Sequence, residues 1–258
     1  MNKNFKRILA YMIDMIIVSI IVFALTNIKQ INPQLDSYNK IYKDYLKISE
    51  KYKDLEKEYN TAKKDYENKK INKKEYNSKK TAFLNYKDKY TNNVKKYNYK
   101  LSKNSTFSTI ISIIIVIGYF GVFQFSMGGQ TLGKKLLKLK VIKNNGGSLN
   151  IGNYLIRCVI LNGVIFNTAL IICIYALGYN NFYTANYIIT NLQSILEIII
   201  LLMVFMSKDG RGLHDYLAQS RVIEMDNDGN EVEYIAPTKK REEWFICNWL
   251  YLIIIYIW

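Results

Sequence analysis

Residues 8–28, ILAYMIDMIIVSIIVFALTNI, decide what kind of protein this is. The run meets the ~20 residues that about 30 Å of hydrocarbon requires. It also carries a carboxylate, Asp14, that lipid should reject. A charge at such depth costs on the order of 2.5–3.5 kcal/mol unless it is paired, hydrated or neutralised. Three further stretches repeat the pattern at 106–127, 154–177 and 187–206, and the last holds Glu197 near its middle. The chain therefore reads as a multi-pass membrane protein with carboxylates inside its spans. Lys3, Lys6 and Arg7 precede the first run, as they would in a secretory signal. A signal has a core of about 7–15 apolar residues, so this longer run, interrupted by Asp14, is expected to be an uncleaved anchor.

Averages conceal this organisation. The 258 residues have a net charge of +15 and a mean hydropathy of −0.07, blending apolar runs with a polar one. Residues 35–104 alone carry 20 Lys against 10 Asp and Glu. Cys158 and Cys173 lie in an apolar run and Cys247 in an apolar tail, without the spacing of a disulfide framework or metal site. A single histidine, His214, and no nucleophile–base pair leave an enzyme reading without a foothold. No catalytic residue, metal, cofactor or nucleic-acid partner is expected.

Lysine and arginine set the expected orientation. The loop after the second span carries Lys134, Lys135, Lys138, Lys140 and Lys143, and Lys208, Arg211 and Arg221 follow the fourth. Residues 178–186, between spans three and four, have no charge. Both termini and the 128–153 loop are thus expected to face the cytoplasm of a cell membrane. The 35–104 insertion then lies outside, which is admissible because long loops translocate largely regardless of charge. Within it Tyr38, Tyr42, Tyr45, Tyr52, Leu55, Tyr59, Ala62 and Tyr66 follow a heptad seam, as do Phe83, Tyr86, Tyr90, Val94, Tyr97 and Leu101. Asn72, with Glu75 three residues on, marks the start of a second helix. An antiparallel coiled-coil hairpin is expected, with a solvated charged segment as its competitor.

Leu139–Lys143 precedes Asn144-Asn145-Gly146-Gly147, and Arg221–Met225 precedes Asn227-Asp228-Gly229-Asn230. Such turns supply the positive φ of tight hairpins, so two small β-hairpins are expected, with their strands free to pair as one cap. Trp244–Trp258 reaches about 22 Å, short of the ~30 Å core, and is expected to lie at the membrane surface or against the bundle.

Arg7 and Asp14 are seven apart and share a helix face. Asp14 must meet a partner from another span or take a proton. Glu197, with Ser194 and Asn191 one and two steps of three before it, makes a candidate ion site together with Asp14, or a set of plain interhelical hydrogen bonds. Arg157 is the available counter-charge. Residues 128–135, GGQTLGKK, approach a phosphate loop, but Lys135 stands where the magnesium-binding Ser or Thr belongs. A glycine-rich exit (Gly128, Gly129, Thr131, Gly133, Lys134) whose lysines meet anionic lipid headgroups fits better. Past the fourth span, Arg211 and His214 with Asp215 form a polar cluster, Asp215 being a partner for Arg7, Arg157 or Arg211.

These residues resemble the RDD family of bacterial membrane proteins. The resemblance lies in Arg-Ile-Leu-Ala-Tyr-Met-Ile-Asp at 7–14, Gly-Gly-Gln-Thr-Leu-Gly-Lys-Lys-Leu-Leu at 128–137 and Arg-Gly-Leu-His-Asp at 211–215. The arginine and two aspartates that name the family correspond to Arg7, Asp14 and Asp215. The resemblance covers residues 5–30 and 105–225, not the insertion or the tail. It implies a membrane protein of largely unknown role, for which transport has been suggested and sodium–proton exchange reported in some members.

The expected architecture is an all-α four-helix transmembrane bundle. Its first span is 5–30, the inserted hairpin 35–104, spans two to four with their loops 105–225, and the tail 226–258. Two functions stay open: transport of a small cation or proton through the buried carboxylates, or a scaffold whose hairpin meets a protein or an anionic wall polymer. Partners are the bilayer and its anionic headgroups, and a homo-oligomer is expected because four spans enclose little.

Overall fold

The computed structural model describes residues 2–226 apart from Lys208. The expected turn at 227–230 and the apolar segment at 244–258 lie outside the described residues. The chain is mostly helical and divides into two compact units. Unit one comprises Met1–Ser19, Ile115–Asn162 and Ile195–Trp258; unit two comprises Ile20–Ile114 and Gly163–Ser194. Among the described residues, three helical stretches are long and apolar enough to cross a membrane: Lys3–Thr26, Thr106–Ser126 and Tyr179–Met206. A fourth arises if Ile151–Leu161 and Val164–Ala176 count as one broken span.

Helix α1 (Lys3–Thr26) shows why its sequence suits lipid. Ala10, Asp14 and Val18, at steps of four, are buried, whereas Met12, Ile16, Ile20 and Phe23 are exposed. An exposed apolar stripe opposite a buried carboxylate inverts the pattern of a water-soluble helix. It is the pattern hydrocarbon selects.

Helices α2 (Leu35–Glu67) and α3 (Lys73–Asn104) form the antiparallel hairpin within unit two. Asn72 caps α3, its side-chain oxygen accepting the Glu75 amide at 2.9 Å. The aromatic seam is regular: Tyr45 meets Tyr97, Tyr52 meets Tyr90, Tyr59 meets Phe83 and Tyr66 meets Tyr76. Each rung lies seven residues further along α2 and seven back along α3. Offset ring pairs of this kind contribute roughly 0.5–1.5 kcal/mol each beyond buried area.

The second span is α4 (Thr106–Ile117), a π-helical segment (Gly118–Phe123) and α5 (Gln124–Ser126). The wider turn was not legible as such in the sequence. A Cβ on Gly121 would fall 2.8 Å from Leu155 Cδ2, so the glycine admits the close approach of the next helix. Helix α6 (Leu132–Leu136) and strand β1 (Leu139–Lys143) follow. Helix α7 (Ile151–Leu161) starts with a capping box in which Asn150 and Asn153 exchange hydrogen bonds of 3.0 and 3.2 Å.

Three expectations need correction. The third span is not one helix: it stops at Asn162, and α8 (Val164–Ala176) restarts beyond Gly163, whose φ of +63° belongs to the left-handed region. Residues 178–186, expected as a loop, start the 28-residue helix α9 (Tyr179–Met206). They hold no glycine or proline beyond Gly178, and Phe182 is buried against Tyr99, with ring centroids 5.5 Å apart. The first β-hairpin does not close on itself: β1 pairs antiparallel with β2 (Ser220–Glu224), with Val141 facing Val222, which is the single cap that the sequence also allowed. The chain does turn after β1, where Gly146 donates to the Lys143 carbonyl, but it then enters α7, and only a distant strand can complete the ladder. Helix α10 (Leu213–Leu217) completes the described elements.

Candidate functional site: two locked aspartates and a cavity

Asp14 has no exposed surface. Tyr119, from the π-helical segment, donates its hydroxyl to Oδ1 at 2.7 Å, and the Gly133 amide donates to the same oxygen at 2.7 Å. Thr131 donates to Oδ2 at 2.5 Å, and Lys134 Nζ stands 3.9 Å from it. Charge-assisted bonds of this kind are about twice as strong as neutral ones. Gly133 is required here, because a Cβ would strike the Ala10 carbonyl oxygen and come within 2.9 Å of the Asp14 carboxylate. The GGQTLGKK loop is thus stitched to α1 and does not cradle a phosphate.

Lys134 departs from the headgroup role expected of this loop's lysines. Its side chain is 12% exposed and lies over the Phe120 ring. Burial pulls its pKa down to about 8, Arg157 and Arg7 adding to the fall and Asp14 opposing it. Lys135 remains exposed.

Asp215, at the start of α10, is the second fully buried carboxylate. Arg7 Nη2 pairs with Oδ2 at 2.6 Å and Arg157 Nη1 pairs with Oδ1. Gly212 donates its amide at 3.0 Å, and Arg157 also reaches Ser220 Oγ at 2.5 Å. Burial alone would raise the Asp215 carboxyl. Arg157, His214, Arg7 and the Gly212 amide outweigh it and hold the group well below the usual carboxylate range. His214 Nε2 lies 3.4 Å from Asp215 Oδ2. Burial lowers the His214 pKa to about 3, Arg157, Arg7 and Lys134 reinforcing the shift against the pull of Asp215. The imidazole is therefore neutral at physiological pH. Of the three candidate arginines, Arg7 and Arg157 take the Asp215 carboxylate. Arg211 instead donates Nε to the Ser220 carbonyl at 3.0 Å and lies over the Tyr216 ring at 4.1 Å.

Beside these clusters lies a cavity of about 460 Å³ within unit one. Arg7, Lys134, Arg157 and His214 line its polar wall, and Glu197 and Tyr11 face it from α9 and α1. The four proposed ion-site residues are not gathered there. Asp14 is sealed behind Lys134 and does not line the cavity. Asn191 and Ser194, in unit two, donate back to the Tyr187 and Thr190 carbonyls of their own helix. Back-bonding of that type satisfies a polar side chain inside an apolar helix. Of that set, Glu197 alone lines the cavity.

Sequence reasoning missed Tyr119, Tyr11 and Ser220. Tyr119 is the one tyrosine inside the second apolar run, which is the signal that could have found it. Tyr11 donates to Asn162 Oδ1 at 3.1 Å, at the residue where α7 ends. Ser220 follows the motif by five residues and carried no signal.

No curated protein and no solved structure matches the chain. The model of the RDD family matches residues 94–219, just under half of the sequence. The matched stretch contains Thr131, Gly133, Arg157 and Asp215, and α1 delivers Arg7 and Asp14 to those residues from outside it. Over those residues the chain is similar to the RDD family, a family of membrane proteins.

Proposed function

We propose that the chain is a membrane-embedded transport module that moves a proton, with Glu197 as the exchanging carboxylate and with both termini on the cytoplasmic side. One observation carries this reading: Glu197 lines the cavity, whereas Asp14 and Asp215 do not. Ionisable groups within membrane spans mark ion and proton pathways more often than they serve as inert packing. A proton fits better than a metal cation, because Arg7, Lys134 and Arg157 line the same cavity and repel a second positive ion. In everted vesicles with a pH-sensitive dye, Glu197→Gln should abolish gradient-driven pH changes at unchanged protein level. Transport at the wild-type rate would remove Glu197 from the mechanism.

A scaffold role is the second reading, favoured by the aromatic ladder that holds α2 and α3 together from Tyr45 to Tyr66, over about 32 Å. The hairpin then presents lysine-rich faces to a protein or an anionic polymer. Capture of such a partner by the full chain, lost on removal of 35–104, would support that role.

A further inference from the structure

The cavity beside Arg7 has two chemically different walls. Its polar wall presents Arg7, Lys134 and Arg157, while Asp14 and Asp215, which neutralise them, sit behind it with no exposed surface. Arg7 uses Nη2 on Asp215 and leaves a buried Nη1 with no hydrogen-bond partner. His214, on the same wall, keeps a buried and unpartnered Nδ1. Asp215 is ionised and only accepts, so the imidazole proton belongs on Nε2, and Nδ1 is left as an acceptor. Buried polar atoms without partners are rare and each calls for an explanation. The wall thus lacks one anionic oxygen and one hydroxyl donor. The other wall is apolar, formed by Met15 of α1, Leu161 of α7 and Leu201 of α9.

We propose that this cavity binds an anionic phospholipid whose headgroup carries a hydroxyl. The phosphodiester lies toward Arg7, the hydroxyl toward His214, and an acyl chain along Met15, Leu161 and Leu201. Basic pockets between membrane helices bind anionic headgroups through this combination of charge and greasy wall, and a guanidinium is the side chain best matched to a phosphate. The cavity's volume falls in the usual 300–1,000 Å³ range of ligand sites. The inference takes its cavity from the transport reading and adds the ligand. Lipid retention is measured without any gradient, so either claim can fail alone.

The test uses the full chain purified in neutral detergent, followed by native mass spectrometry and thermal unfolding. Phosphatidylglycerol should remain bound and raise the midpoint, while phosphatidylcholine of the same chain length and inorganic phosphate should do neither. Arg7→Lys keeps a cation for Asp215 but loses the forked second nitrogen, and should weaken phosphatidylglycerol retention on the order of tenfold. Leu201→Trp, on a half-exposed apolar position, should narrow the cavity and reduce retention without lowering the lipid-free midpoint. Equal retention of both lipids would overturn the proposal, as would wild-type retention by the Leu201→Trp protein. A midpoint shift from inorganic phosphate equal to that from phosphatidylglycerol would replace the lipid by a free anion.

Discussion

Thr131 and Asp14, 117 positions apart, share a hydroxyl–carboxylate hydrogen bond of 2.5 Å. That bond turns a carboxylate that lipid would expel into a fixed anchor. It also explains why a threonine follows the two glycines at the exit of the second span: its hydroxyl meets the carboxylate, and its oxygen receives the Lys134 amide at 3.4 Å as the cap of α6.

If Asp14 anchors the loop, Asp14→Asn should lower stability whatever it does to transport. An amide offers one acceptor oxygen where Tyr119, Thr131 and Gly133 now donate to two. Each group left unsatisfied costs about 1–3 kcal/mol. A thermal midpoint in detergent below wild type is expected, with the yield of folded protein falling in parallel. Thr131→Ser, which keeps the hydroxyl, should sit close to wild type.

Gly133→Ala tests the same anchor through shape alone. The added methyl meets the Ala10 carbonyl and the Asp14 carboxylate, so α6 has to move off α1. A midpoint loss comparable to that of Asp14→Asn is expected. Gly118→Ala, where a Cβ meets nothing within 4 Å, is the matched control.

The Asp215 cluster predicts acid sensitivity. The folded-state pKa of His214 is depressed to about 3, so its contribution is fully present above the unfolded value of about 6.5 and is lost as pH falls toward 3. Asp215 acts in the same direction at lower pH, its contribution holding above the ordinary carboxylate value and failing below it. The thermal midpoint should therefore fall from pH 6.5 to pH 4, and His214→Gln should flatten that stretch of the profile. An unchanged slope in the variant would assign the acid loss elsewhere.

Removing one partner of a buried ion pair costs about 3–5 kcal/mol, because the remaining charge is stranded. Asp215→Asn strands two guanidiniums, Arg7 and Arg157, and should be the most destabilising single substitution in this cluster. Denaturation in detergent compares it with Arg211→Gln, which leaves the carboxylate pairs in place.

Every residue of the Asp14 cluster, the Asp215 cluster and the cavity belongs to unit one. A chain in which a short glycine–serine linker replaces residues 35–104 should accordingly keep the pH-dependent midpoint and any proton movement. Failure of that chain to fold would make the hairpin a structural requirement.

The sequence by itself determined where the apolar spans lie, that carboxylates are buried in or beside them, and that α2 and α3 pair through an aromatic seam. Periodicity and composition suffice for these, because hydrocarbon thickness and helical repeat act on local stretches of chain. Asn72 was equally legible, since a cap is decided within four residues. The tertiary structure decided what each charge does. Arg7 and Asp14 share a helix face yet serve different partners, one on Asp215 and the other on Thr131 and Gly133. Asn191 and Ser194 share a helix with Glu197 yet turn back onto their own backbone, and of the two pairings open to β1 the structure takes the one with β2. Spacing along a helix fixes only direction, whereas pairing depends on which side chains arrive from more than a hundred residues away.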